Sequence, residues 1–111
     1  MAQVFYKKNS SLAGDVIDYQ IGNPDIDIIA RTMNEFYPAE DKWAINTKCL
    51  EMVYIVAGGG KLITEDETRE FGKGDVIVVP PGEKYRFEFK NAELIIVCNP
   101  PWTKEQHECV E

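Results

Sequence analysis

Apolar and polar residues alternate with a period of two along much of this chain, most cleanly over Lys84-Tyr85-Arg86-Phe87-Glu88-Phe89-Lys90. That alternation predicts a strand with one buried and one wet face, Tyr85, Phe87 and Phe89 pointing in and the charged residues out. Just upstream, Gly74 opens the β-branched run Val76-Ile77-Val78-Val79, and Pro80-Pro81-Gly82 stops it. Two strands therefore meet at a stiff proline-glycine corner. The alternation Asp25-Ile26-Asp27-Ile28 begins another strand, which outvotes the helical propensity of Ala30 to Glu35. Trp43 to Ala57 reads as strand, bend, strand. Lys61 to Thr64 and Arg69 to Phe71 flank the polar turn Glu65 to Thr68, and Glu93 to Cys98 is a last core strand after a short turn at Asn91-Ala92. Val4 to Tyr6 and Asp15 to Gln20 are shorter β-prone pieces.

The turn signals agree with this division. Gly22-Asn23-Pro24-Asp25, Tyr37 to Lys42, Gly72 to Asp75 and Asn99-Pro100-Pro101-Trp102 all interrupt apolar runs. Gly58-Gly59-Gly60 allows positive φ, a bulge or a close backbone approach. It is no phosphate loop, because no Lys-Ser/Thr follows it. The tail after Trp102 is charged and is expected to form a helical turn or to fray. Many short strands with closely spaced turns and little helix predict an all-β antiparallel sandwich or barrel.

With 111 residues, 44% of them hydrophobic, the chain is long enough for one core and too apolar for a disordered segment. A single domain is expected over residues 1–111, with a barrel core at about 25–102, an N-terminal arm at 1–24 and a tail at 103–111. The net charge of −7 and the lack of a basic run beyond Lys7-Lys8 argue against a nucleic-acid partner. Three widely spaced cysteines, Cys49, Cys98 and Cys109, form neither a CxxC nor a disulfide framework. No apolar run approaches the ~20 residues that span a bilayer, and the first residues do not read as a secretory signal. A cytoplasmic location with no membrane partner is the expectation.

At the level of motifs the chain resembles a small single-domain cupin, a jelly-roll barrel or antiparallel double-stranded β-helix. Gly74, Pro80 and Gly82 match the second cupin stretch, and Glu51 and Gly58 match the first with its six-residue gap intact. The resemblance implies a metal held by three imidazoles and a carboxylate. Here Ile45 and Thr47, or with a longer gap Ala44 and Asn46, stand where paired histidines would be, and Tyr85 replaces the third. Ala39 and Phe89 replace the first glycine and the final asparagine. Only Glu51 survives of the ligand set, so no metal and no other cofactor is expected.

In such a barrel Glu51 and Tyr85 are the candidate catalytic pair. A buried carboxylate acts as base or ligand anchor, and the phenol orients a ligand or gives a proton. Trp43, Asn46, Thr47 and Cys49 complete the candidate ligand-binding set, with Trp102 as a lid or interface plug and the single histidine, His107, on the surface. The function expected first is binding of a small polar ligand, a sugar or organic acid. Two alternatives stand beside it: a metal-independent isomerase or epimerase using Glu51 and Tyr85, and a dimerisation or sensor module with a filled barrel. A homodimer is expected, with Val4 to Tyr6 as an exchanged strand.

Overall fold

The computed structural model describes residues 2–7, 11–13 and 16–111, the backbone alone for 11–13. Two long strands organise it. β6 (Leu50–Ile63) and β9 (Arg86–Asn99) pair antiparallel along nearly their whole length, from Leu50 opposite Asn99 to Ile63 opposite Arg86. Around them lie β1 (Ser11–Ala13), β2 (Val16–Asp18), β3 (Asp27–Met33), β4 (Phe36–Tyr37), β5 (Trp43–Asn46), β7 (Thr68–Gly72), β8 (Val76–Val79) and β10 (His107–Val110).

The neighbours of the long strands change halfway along. On the free edge of β9, β3 covers the Ala92–Cys98 half and β4 the Phe87–Glu88 portion. On the free edge of β6, β8 covers Glu51 to Tyr54 and β7 covers Gly59 to Ile63. The long strands thus pass through both layers of an antiparallel jelly roll, bending between them. The register shifts between Ile55 and Ala57 and again between Ala57 and Gly59 mark the bend. Gly58 lies there at φ 75°, and a Cβ at that position would overlap the Asn91 carbonyl. Glycine is needed both for its dihedral and for the closeness of the facing strand.

This explains where the observed strands differ from those predicted. The three glycines bend one continuous strand instead of separating two. Asn91-Ala92 is an irregularity inside β9, with Asn91 at φ 47° and Ala92 buried, instead of a turn ending it. Val4 to Tyr6 form no strand; Asp15, the first residue of the second predicted piece, lies outside the described residues.

The inward parity read from the alternation holds. Tyr85, Phe87 and Phe89 are buried with Val53, Ile55, Ile77, Val79 and Leu94. The Phe87 and Phe89 rings stack at 4.7 Å between centroids, and Phe71 meets both edge-on. This cluster closes one end of the barrel. No helix among the described residues is long and apolar enough to cross a membrane.

Candidate functional site

The other end of the barrel holds a cavity of about 160 Å³. Its floor is apolar, with Ile29, Val53, Phe87, Phe89, Leu94 and Ile96 among its walls; its polar groups are Arg31, Tyr37, Glu51 and Trp102. A concave apolar cup with a few fixed polar groups is the usual form of a small-molecule site.

The sequence places the polar groups by simple parity. Glu51 shares the inward face of β6 with Val53 and Ile55. Tyr85 follows the Pro80-Pro81-Gly82 corner and bridges Ala44 of β5. The corner is tied to the same strand, since the Gly82 N–H donates to the Asn46 carbonyl over 2.8 Å. That brings Asn46, Glu51 and Tyr85 together.

Asn46, 1% exposed, is the hub. Its Nδ2 donates to Glu51 Oε2 at 2.9 Å and to the Tyr85 hydroxyl at 3.3 Å. Its Oδ1 accepts from Trp102 Nε1 at 3.2 Å and from His107 Nδ1 at 2.8 Å. The Tyr85 hydroxyl in turn donates to Glu51 Oε2 over 3.1 Å. These roles fix the histidine tautomer. With Nδ1 donating to a carbonyl oxygen, Nε2 of the neutral ring is an acceptor, and it receives the Tyr37 hydroxyl at 3.2 Å. One continuous chain therefore runs Tyr37–His107–Asn46–Glu51, with Tyr85 joined at the carboxylate.

Electrostatics follow from burial. Desolvation pushes the Glu51 carboxyl above its ordinary value, only partly offset by its bonds to Tyr85 and Asn46 and by the charge of Arg31. Desolvation likewise raises Tyr85 far above the ordinary phenol range and Tyr37 to about 12, the Glu51 charge adding to both. Burial lowers His107, consistent with the neutral ring that the hydrogen bonds require. Glu51 Oε1 makes no hydrogen bond among the described residues, and Glu51 lines the cavity.

The remaining candidates lie elsewhere. Thr47 is exposed, and its hydroxyl donates to the Gln106 carbonyl at 3.0 Å. Trp43 lies under the Arg86 guanidinium, 4.2 Å from ring centroid to Cζ, away from the cavity lining. Cys49 is fully buried and does not line the cavity, its N–H donating to Gln106 Oε1 at 2.8 Å. Of the two registers open for the family's paired positions, the inward residues are Ala44 and Asn46; Ile45 is half-buried and Thr47 exposed.

Arg31, Tyr37 and His107 complete the site although the sequence did not mark them. His107 is half-buried in the site instead of on the surface, because the tail does not fray. A 3₁₀ turn at Lys104–Gln106 leads into β10, which pairs with β5, His107 opposite Asn46. The latch is Gln106, buried, bonded to the Cys49 N–H and donating to the Pro101 carbonyl at 3.0 Å. For Arg31 a signal existed: it shares parity with Asp27, Ile29 and Met33, a cation on the inward face of a strand.

The fold and this barrel-end site define a cupin, and the chain belongs to that family: the cupin-domain family model matches residues 35–98. A curated relative, the uncharacterized protein MJ1618 of Methanocaldococcus jannaschii, is 36% identical over 64 residues; the match covers 55% of this chain and 51% of the relative, so the chain spans about half the relative's length. Among solved structures, Streptomyces Pac13, described as a nucleoside dehydratase and also solved with uridine, is similar with a TM-score of 0.85 at 16% identity, covering 100% of this chain and 92% of that one. Ectoine synthase from P. lautus is similar at TM-score 0.66 and 14% identity (100% and 90% covered), as is KdgF from Halomonas at 0.66 and 14% (88% and 94%). At these identities the likeness shows the fold.

The metal that cupins commonly carry does not suit these residues. Its positions hold the methyl of Ala44, the Asn46 amide, the Glu51 carboxylate and the Tyr85 phenol. The Asn46 oxygen already accepts two hydrogen bonds, and the phenol is held far from ionising. One free carboxylate oxygen is a poor donor set for a transition ion.

Proposed function

We propose that this protein binds a small polar molecule at the open end of its barrel and exchanges a proton with it through Glu51. The observation that carries this reading is the Glu51 carboxyl itself: desolvated, steadied on one oxygen by Asn46 and Tyr85, and with its other oxygen left for a ligand. A base of this kind works when its proton affinity is raised toward the working pH. Tyr85 and Asn46 are positioning residues that hold Oε2 and leave the ligand side to Oε1. Pac13, named a nucleoside dehydratase, supports the enzyme alternative, because elimination of water takes a proton from one atom and a hydroxyl from its neighbour, and the proton needs a base. The cavity is on the scale of one small ring, since a dry cavity of about 150 Å³ accommodates benzene. A site of that size supports a compact hydroxy- or oxo-compound, or the sugar part of a larger molecule.

Two measurements test this. A carbon-detected NMR titration of the Glu51 carboxyl is expected to give a midpoint above the ordinary 4.5. Wild type is expected to catalyse solvent deuterium exchange into small oxo-compounds, hydroxyketones and oxo-acids both being tried, and Glu51→Gln to lose it. An ordinary or depressed midpoint removes the base.

The homodimer is also proposed, through the outer sheet face and not through an N-terminal strand. There Ile17, Ala30, Ile95, Tyr54 and Val76 form one cross-strand row and Ile28, Val97, Met52 and Val78 the next, with no charged side chain in either. Tyr54, Val76 and Val78 are each about half exposed, and an uncharged face across five strands complements its own copy. Sedimentation is expected to give twice the chain mass and Val78→Lys to halve it; a monomeric wild type ends the proposal.

A further inference from the structure

Arg31 is the one strong charge in the cavity that the chemistry above does not use. It lines the same cavity as Glu51, and among the described residues its guanidinium makes no hydrogen bond and no ion pair. Among the described residues its guanidinium faces the Tyr37 ring, whose centroid lies 5.4 Å from Cζ. Arg31 acts on Glu51 by its field yet stands outside ion-pair distance of it. A cation and a carboxylate thus share one cavity without closing on each other, and the walls between them are apolar.

From this juxtaposition we infer that the ligand is a small oxo- or hydroxy-carboxylic acid with a short hydrocarbon body, its carboxylate taken by the Arg31 fork and the carbon next to its carbonyl presented to Glu51. The inference rests on the proton-transfer reading for the second half of that statement only. A planar guanidinium matches a carboxylate with two parallel hydrogen bonds, and the Tyr37 ring, 5.4 Å from Cζ, attracts the cation by its π face. The apolar floor of Phe87, Phe89, Leu94 and Ile96 accepts the hydrocarbon body. The Arg31 charge also offsets the repulsion that a ligand carboxylate meets from Glu51. A neutral ligand leaves the guanidinium desolvated and unpaired, so the site discriminates against it.

The experiment is calorimetric titration of the full chain with benzoate and with benzamide, ring-sized probes that differ in charge and carry no exchangeable carbon-bound proton next to a carbonyl. Wild type is expected to bind benzoate at least about tenfold more tightly than benzamide. Arg31→Gln is expected to remove that preference, Arg31→Lys to reduce it several-fold by keeping the charge without the fork, and Glu51→Gln to tighten benzoate. Equal binding of the two probes, no benzoate saturation, or an acid preference that survives in Arg31→Gln overturns the inference. If Arg31→Gln does not fold, an undiminished preference in Arg31→Lys overturns it. Inorganic phosphate that displaces benzoate at equal concentration also overturns it, by showing a site for any anion. The two readings fail separately: benzoate selectivity without deuterium exchange removes the base and keeps the acid site, whereas exchange without selectivity does the reverse.

Discussion

Asn46→Asp changes one atom at the hub and reverses its electrostatics. The Asn46 amide nitrogen lies 2.9 Å from Glu51 Oε2, and aspartate puts a second acceptor there. Two carboxylates at that separation repel by about 6 kcal/mol at an effective dielectric constant of about 20. Holding a proton on one of them costs less: from the ordinary glutamate value of 4.5, which burial already raises, keeping Glu51 protonated at pH 7 takes at most about 3 kcal/mol. The pair therefore shares a proton. The variant is expected to lose up to about 3 kcal/mol relative to wild type at pH 7, and little at pH 4, where a proton is freely available. Urea denaturation of both proteins at pH 4, 5.5 and 7 measures the difference directly. A loss that does not change with pH refutes the reasoning, because it means that the residue 46 and Glu51 carboxylates do not share a proton. A variant as stable as wild type at pH 7 refutes it equally.

Burial raises the Glu51 carboxyl above 4.5, so the stability it contributes is full below that pH and is lost as pH climbs through the folded value. Glu51→Gln is expected to abolish that decline, by about 1.4 kcal/mol for each unit separating the folded and unfolded values; parallel stability–pH curves for the two proteins would show a solvated carboxyl. Gly58→Ala is expected to cost more than about 2 kcal/mol, since it adds a Cβ at φ 75° against the Asn91 carbonyl. Gly74→Ala, at φ 89° with open space around it, is the control at about 1 kcal/mol; equal melting temperatures for the two variants contradict the close approach. Gln106→Ala leaves the buried Cys49 N–H without its partner and is expected to cost about 1–3 kcal/mol. It is also expected to speed amide exchange across β10 and raise the titration midpoint of His107 toward that of an exposed ring. Unchanged exchange there would mean that pairing with β5 alone holds the tail.

Period-two alternation in Lys84 to Lys90, the β-branched run before it and the proline-glycine corner determined the all-β class and the inward parity of Tyr85, Phe87 and Phe89. The motif spacing around Glu51, Gly58, Gly74, Pro80 and Gly82 carried the cupin resemblance, and with it the meeting of Glu51 and Tyr85. These are local facts: a side chain's face depends on its parity within one strand, and a corner on the residues that make it. Strand continuity was not local. Whether Gly58 to Gly60 ended a strand or bent it depended on the facing carbonyl of Asn91, and whether Ala44 and Asn46 or Ile45 and Thr47 pointed inward depended on the bridge to Tyr85.

The tertiary structure alone decided the rest of the site. The inward parity of Arg31 is legible within its own strand, but its meeting with Tyr37 and His107, from two other strands, is not, and His107 enters because a buried glutamine latches a tail whose own composition is that of a solvated end. Contacts between residues sixty or seventy positions apart leave no periodic trace in the chain. They arise from the order in which strands pack, which no single segment encodes.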